Sequence, residues 1–201
     1  MNTYEVYPVS PNGPQWESLP KADISHILWI EAEGIRGWGQ LCYDEKFLYV
    51  RLEAEEEHIL KRYKGENDPV CMDSCLEFFF SAQEKGNRYF NVEVNPYGAC
   101  YVGFGRLRHR RCRLLHPRMK KLMNIRTFTT EKGWGVELAI PVWFLETYSP
   151  GFALHPGKKL RANFYKCAED SVTPHFISWN KVDHYKPDFH RPEFFGQLIF
   201  K

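Results

Sequence analysis

Two carboxylates at matched places on apolar segments, Glu77 in CLEFFFS (75–81) and Glu93 in YFNVEVN (89–95), are the residues best suited to act on a substrate. A pair of carboxyls can divide acid and base work on a glycosidic bond when their separation is right, and can also hold sugar hydroxyls without turning anything over. Position along the chain does not set the distance between two strands, so both readings stand beside that of ordinary polar residues on a sheet face. The eight histidines are His26, His58, His109, His116, His155, His175, His184 and His190, and none sits at metal spacing with another. His175 and His190 lie in segments rich in Trp, Tyr and Asn, where a ligand contact and simple packing are equal accounts. Cys71-x3-Cys75 lacks a second Cys or His pair at zinc-finger spacing, so no metal site is expected. No phosphate-binding glycine motif, nucleophile elbow or HExxH helix is present, which removes support for nucleotide chemistry.

The elements that must position these residues read as strands. In YDEKFLYVRLEAEEE (43–57), Leu48, Val50, Leu52 and Ala54 alternate with Tyr49, Arg51, Glu53 and Glu55, giving one core face and one wet face. The acidic run Glu55 to Glu57 is expected to be a solvated strand end. Leu76, Phe78 and Phe80 turn one way and Glu77 the other; Phe90, Val92 and Val94 turn inward while Asn91, Glu93 and Asn95 turn outward. Counted along the chain there are about ten short strands and one short helix, Val142 to Tyr148, with turn signals at sandwich-like intervals. The fold class is all-β, in a single domain over residues 1–201. On the outward faces Glu77, Asn91, Glu93, Asn95, Asn163, Tyr165 and Trp179 mix aromatic rings with polar groups, the types that meet the C–H faces and hydroxyls of a sugar.

Composition limits the partners. The chain has 201 residues, 27 Lys and Arg against 25 Asp and Glu, and a net charge of +2, too little for a dedicated nucleic-acid binder. No stretch approaches the roughly 20 apolar residues that span a bilayer, so no membrane partner is expected. Its first residues lack the basic and apolar regions of a signal peptide, which points to a cytoplasmic protein, or to an extracellular one if a leader was removed. The six cysteines read as reduced, mostly buried thiols. Residues Arg106 to Lys121 hold eight of the basic side chains and no acid, and read as a long solvated loop that could meet phosphate or an acidic polysaccharide.

The segments WESLP (16–20), YDEKFLYV (43–50), MDSCLEFFF (72–80), YFNVEVNPYG (89–98), WGVELAIP (134–141), NFYKC (163–167), HFISW (175–179) and FHRPEFFGQLIF (189–200) follow in an order that resembles carbohydrate-binding module family 9. The likeness is to its stand-alone, family 9-like branch, related to the DOMON sandwiches. It implies a jelly-roll or immunoglobulin-like β-sandwich that holds a sugar between aromatic rings. In xylanase-appended members that sugar is the reducing end of a glucan or xylan chain, which links the family to polysaccharide catabolism. By position, the resemblance makes Trp179 one wall of the aromatic clamp and Glu77 the carboxylate accepting sugar hydroxyls. Glu93 and Asn95 become the polar pair of the neighbouring strand, and Asn163, Tyr165, Lys166 and His175 further contacts.

The family's second clamp tryptophan is replaced here by Asp68-Pro69-Val70-Cys71. Calcium occurs in some members, but no dense acidic loop supports it in this chain, and no cofactor is expected. The resulting expectation is non-catalytic carbohydrate binding, with the oligomeric state open. Three rivals stay beside it: a haem module using Met72, His175 and His190, a glycoside-processing enzyme using Glu77 and Glu93, and a partner-binding sandwich using Arg108, Arg110 and Arg111.

Overall fold

The computed structural model describes residues 1–66, 68–81, 83–114 and 118–201. Residues 115–117 of the basic stretch, His116 among them, lie outside it. In chain order the strands are β1 (Thr3–Pro8), β2 (Ala22–Ile24), β3 (His26–Ile27), β4 (Arg36–Tyr43), β5 (Phe47–Glu55), β6 (Cys75–Ser81), β7 (Tyr89–Val94), β8 (Cys100–Leu107), β9 (Arg110–Arg113), β10 (Arg126–Thr130), β11 (Gly133–Pro141), β12 (Lys159–Ala168), β13 (His175–Ser178) and β14 (Gly196–Phe200). These exceed the expected ten. Several of the additional ones, β1, β2 and β3, are short or pair only with distant partners, so no local alternation announces them. The helix expected after Pro141 is α2 (Val142–Tyr148), and a single turn, α1 (Met119–Leu122), precedes it.

Two sheets face each other. The back sheet runs β10-β11-β5-β4 with β2 on its edge, and the front sheet runs β14-β12-β6-β7-β8-β9 with β13 and β3 alongside. β1 joins them by turning a corner: Thr3 to Val6 pair parallel with β14, and Tyr7 and Pro8 with β4. Between the sheets lie Leu48, Val50 and Leu52 from β5 against Leu76, Phe78 and Phe80 from β6, the faces that alternation assigns to the core. Phe78 stacks on Phe80 at 4.8 Å and on Phe164 at 5.0 Å. Each such ring buried stabilises by roughly 1.5–3 kcal/mol. Gly39 is required where the sheets approach, since a Cβ there would stand 2.7 Å from the Phe164 ring.

The second face of the front sheet departs from expectation. β6 and β7 are buried along their whole length on both faces. Outward-turned Phe79, Tyr89 and Tyr165 form a second cluster with Phe176, Phe189 and Phe195. The cover comes from the segment between β13 and β14, which folds back across the sheet, so residues patterned for water are enclosed. The first half of the basic stretch, residues 106–113, is an exposed hairpin and not a loop: β8 runs on to Leu107, turns, and returns as β9. No helix is long and apolar enough to cross a membrane.

Candidate functional site

On the covered face, Glu77 and Glu93 stand directly opposite each other on β6 and β7. Both are buried, and they floor a cavity of about 70 Å³ shared with Cys71, Arg108, Phe189 and His190. Burial drives both carboxyls upward. Glu77 lies well above the carboxylate range, with Glu93 adding repulsion, and Glu93 reaches about 7, opposed by the 2.7 Å hydrogen bond from Asn91 Nδ2 and by Arg111. The thiols of Cys71 and Cys75 are raised by burial, and that of Cys167 by its hydrogen bond with Cys75 and by burial. Burial thus favours the neutral, protonated form of each of these acids.

The rim is cationic and aromatic. The Arg111 guanidinium lies 4.5 Å above the Tyr89 ring and donates from Nη1 to the Tyr89 hydroxyl at 3.0 Å. It also meets His190 Nδ1 closely. Burial and Arg111 drive His190 down to about 2, so this imidazole is neutral. Arg111 Nε and Nη2 and Asn91 Oδ1 are buried without a hydrogen-bond partner among the described residues. Past Arg108 and His190 the cavity opens into a groove of about 600 Å³, lined by Arg106, His109, Lys186, Asp188 and Glu193 among others. Tyr185, between the lining residues His184 and Lys186 in sequence, is 81% exposed, its ring 4.7 Å from that of His184.

The expected ligand residues do not all meet here. Glu77, Glu93 and Tyr165 share this face, but the Tyr165 ring is already stacked by Phe189 at 4.1 Å. Asn95 is spent on the fold: its Nδ2 donates to the Tyr63 carbonyl and Asp73 Oδ2, and its Oδ1 accepts from the Tyr97 and Ala99 amides. Asn163 exchanges two 2.8 Å hydrogen bonds with the Asn180 backbone, fastening the start of the covering segment. Trp179 points between the sheets, edge-on to Phe164 at 5.5 Å, on the opposite face from Glu77.

Lys166 and His175 also turn inward. Lys166 Nζ lies 3.1 Å from Glu56 Oε2 and 2.7 Å from His175 Nε2. Glu56 accepts from Trp134 Nε1 at 2.6 Å and from Ser74 Oγ at 2.9 Å. His175 Nδ1 lies 2.7 Å from the Thr173 carbonyl, so its Nε2 is left to accept from Lys166. Burial and then the Lys166 charge lower His175 to about 4. His175 and His190 lie on opposite faces of the front sheet, so they cannot ligate one haem iron together.

Three groups escaped the sequence reading. Glu56, expected in a solvated strand end, is 3% exposed; it continues the inward parity of Leu52 and Ala54, a signal present in the alternation. Cys167 falls opposite Cys75 across β12 and β6, a pairing that spacing along the chain does not reveal. Tyr185 carried no pattern at all.

A family model for carbohydrate-binding family 9 matches residues 15–200. Among solved structures, a protein from Bacteroides uniformis ATCC 8492 described as a candidate carbohydrate-binding protein superposes with a TM-score of 0.82 at 24% identity, over 100% of this chain and 99% of that one. A family 9 carbohydrate binding module from Caldicellulosiruptor kristjanssonii in complex with cellotriose gives 0.67 at 14% identity, over 100% and 94%. A module of that family from the same organism in complex with glucose gives 0.66 at 13%, over 100% and 96%. These likenesses establish the sandwich as the shared fold. No curated protein matches.

Proposed function

Because this chain belongs to carbohydrate-binding family 9, we propose that it binds an oligosaccharide of the glucan or xylan type, without turning it over, in the groove between the β8–β9 turn and the segment 184–193, in the service of carbohydrate catabolism. The observation that carries the reading is the groove itself. Its volume of about 600 Å³ is in the range of small-molecule sites, donors (Arg106, Arg108) and acceptors (Asp188, Glu193) line it, and Tyr185, exposed and flanked in sequence by the lining residues His184 and Lys186, offers a ring for a sugar face to lie on. The inner cavity, at about 70 Å³, has room for waters but not for a pyranose ring between Glu77 and Glu93, which favours binding over hydrolysis.

Sugar sites of this kind exchange one hydrogen-bonded solvent for another and gain mainly from the stacked face, so a dissociation constant of roughly micromolar to millimolar is expected. Calorimetric titration with glucose, cellotriose, xylobiose and a uronic-acid oligomer ranks the ligands. Tyr185→Ala should weaken the best of them by about tenfold, and Trp179→Phe should leave it unchanged. Absence of heat with every saccharide, from a folded protein, overturns the reading; unchanged binding by Tyr185→Ala overturns the assignment of the groove.

A further inference from the structure

The front sheet brings together two thiols and a carboxyl that the saccharide reading does not need as a set. Cys75 and Cys167 are directly opposed across β6 and β12, and Glu77 follows Cys75 by two residues on the same face. Cys167 Sγ is 3.1 Å from Glu77 Oε1. One donor atom from each of the three lies within 4.8 Å of the other two. All three side chains are at least 98% buried. Among the described residues no Lys or Arg forms an ion pair with Glu77, and Lys166, the cation adjacent in sequence, points to the other face toward Glu56.

We propose that Cys75, Cys167 and Glu77 form a binding site for a borderline-soft divalent cation, zinc in the first instance. A tetrahedral zinc with Zn–S bonds of about 2.3 Å places its ligand atoms roughly 3.8 Å apart, against 3.1 Å between Cys167 Sγ and Glu77 Oε1 and at most 4.8 Å across the trio. Thiolates select zinc over calcium and magnesium, which take oxygen ligands. Of the three, Glu77 lines the inner cavity, where Cys71 and Glu93 stand as further donors. A site with three protein ligands and one open position holds water or a ligand atom there. Two strands of a packed sheet hold Cys75, Cys167 and Glu77 without a loop having to order.

Binding exchanges the metal for protons. The two thiols and the carboxyl each release one to solvent, and the cation takes up the three anionic donors so formed, offsetting their charge in the buried site. This inference is independent of the saccharide reading, since metal affinity is measured with no sugar present.

The test uses the full chain, purified under reductant and stripped with a chelator. Titration with cobalt(II) should give one tetrahedral visible spectrum with thiolate charge-transfer bands, saturating at about one equivalent and displaced by zinc, with about three protons released in weakly buffered solution. Glu77→Gln replaces a protonated carboxyl by a neutral isostere, so the fold is kept, and it should weaken cobalt by at least ~10-fold. Cys167→Ser should remove about half of the charge-transfer intensity, one of two thiolates being lost. A folded, reduced protein without a tetrahedral cobalt spectrum overturns the site, as does wild-type affinity in both variants. If peptide mapping finds Cys75 and Cys167 joined in a disulfide and the reduced protein then ignores cobalt, the pair is a redox couple and the metal site is wrong.

Discussion

The front sheet carries a buried polar cluster on each face, and the two are built on opposite principles. On the inner face Glu56, Lys166, His175, Trp134 and Ser74 pair cation with anion and donor with acceptor. On the outer face Glu77, Glu93, Cys71, Cys75 and Cys167 gather as acids, with Asn91 Oδ1 and two Arg111 nitrogens without a partner among the described residues. A buried charge is tolerable when it is paired and hydrogen-bonded, and a group denied that changes protonation state instead. The inner cluster therefore completes the fold, whereas the outer one is left with chemistry to offer a ligand or a cation.

The largest effect should come from breaking the inner pair. Lys166→Ala leaves the Glu56 carboxylate buried without its cation and is expected to cost about 3–5 kcal/mol in urea unfolding. Lys166→Met combined with Glu56→Gln should recover much of it. Glu77→Gln on the outer face should cost under about 1 kcal/mol, because one neutral group replaces another. Equal costs for Lys166→Ala and Glu77→Gln would erase the distinction between the faces.

Acid should separate them next. His175, held at about 4 against an ordinary 6.5 with Lys166 and Glu56 facing it, stays neutral in the fold while the unfolded chain takes up a proton. Its contribution is whole above pH 6.5 and is lost as pH falls toward 4. The stability difference between wild type and His175→Gln should shrink by about 1.4 kcal/mol per pH unit across that window, reaching about 3 kcal/mol. A difference independent of pH would mean that His175 is not held neutral. The raised carboxyls of the outer face act in the opposite sense, weakening the fold as pH rises.

A smaller effect than those at Lys166 and His175 concerns Trp179. Removing part of a ring packed on Phe164 and against Gly196 should cost about 1–2 kcal/mol for Trp179→Phe, with saccharide affinity unchanged. A loss of affinity without a loss of stability would return Trp179 to the ligand face.

Much of the fold was legible. The inward sets Leu48, Val50, Leu52 and Leu76, Phe78, Phe80 follow from alternation alone, and α2 begins where Pro141 ends a strand. β1 was not legible, because its partners β14 and β4 lie far along the chain and pair with it in parallel. Of the site, alternation turns Glu77 and Glu93 away from the core on their strands, but the register that sets them opposite one another is not in the alternation. Asn95 and Asn163 could not be read as anchors, because their partners, Asp73 and Asn180, are brought in by loops.

What the sequence determined by itself is therefore the side of the strand on which each residue stands, since the two-residue period of an extended chain is a local property. Which of those sides meets water was decided only by the tertiary structure. The segment after β13 folds across the front sheet, stacking Phe189 on Tyr165 and enclosing Glu77, Glu93 and the paired cysteines. Burial depends on what covers a face, and here the cover comes from residues distant in sequence.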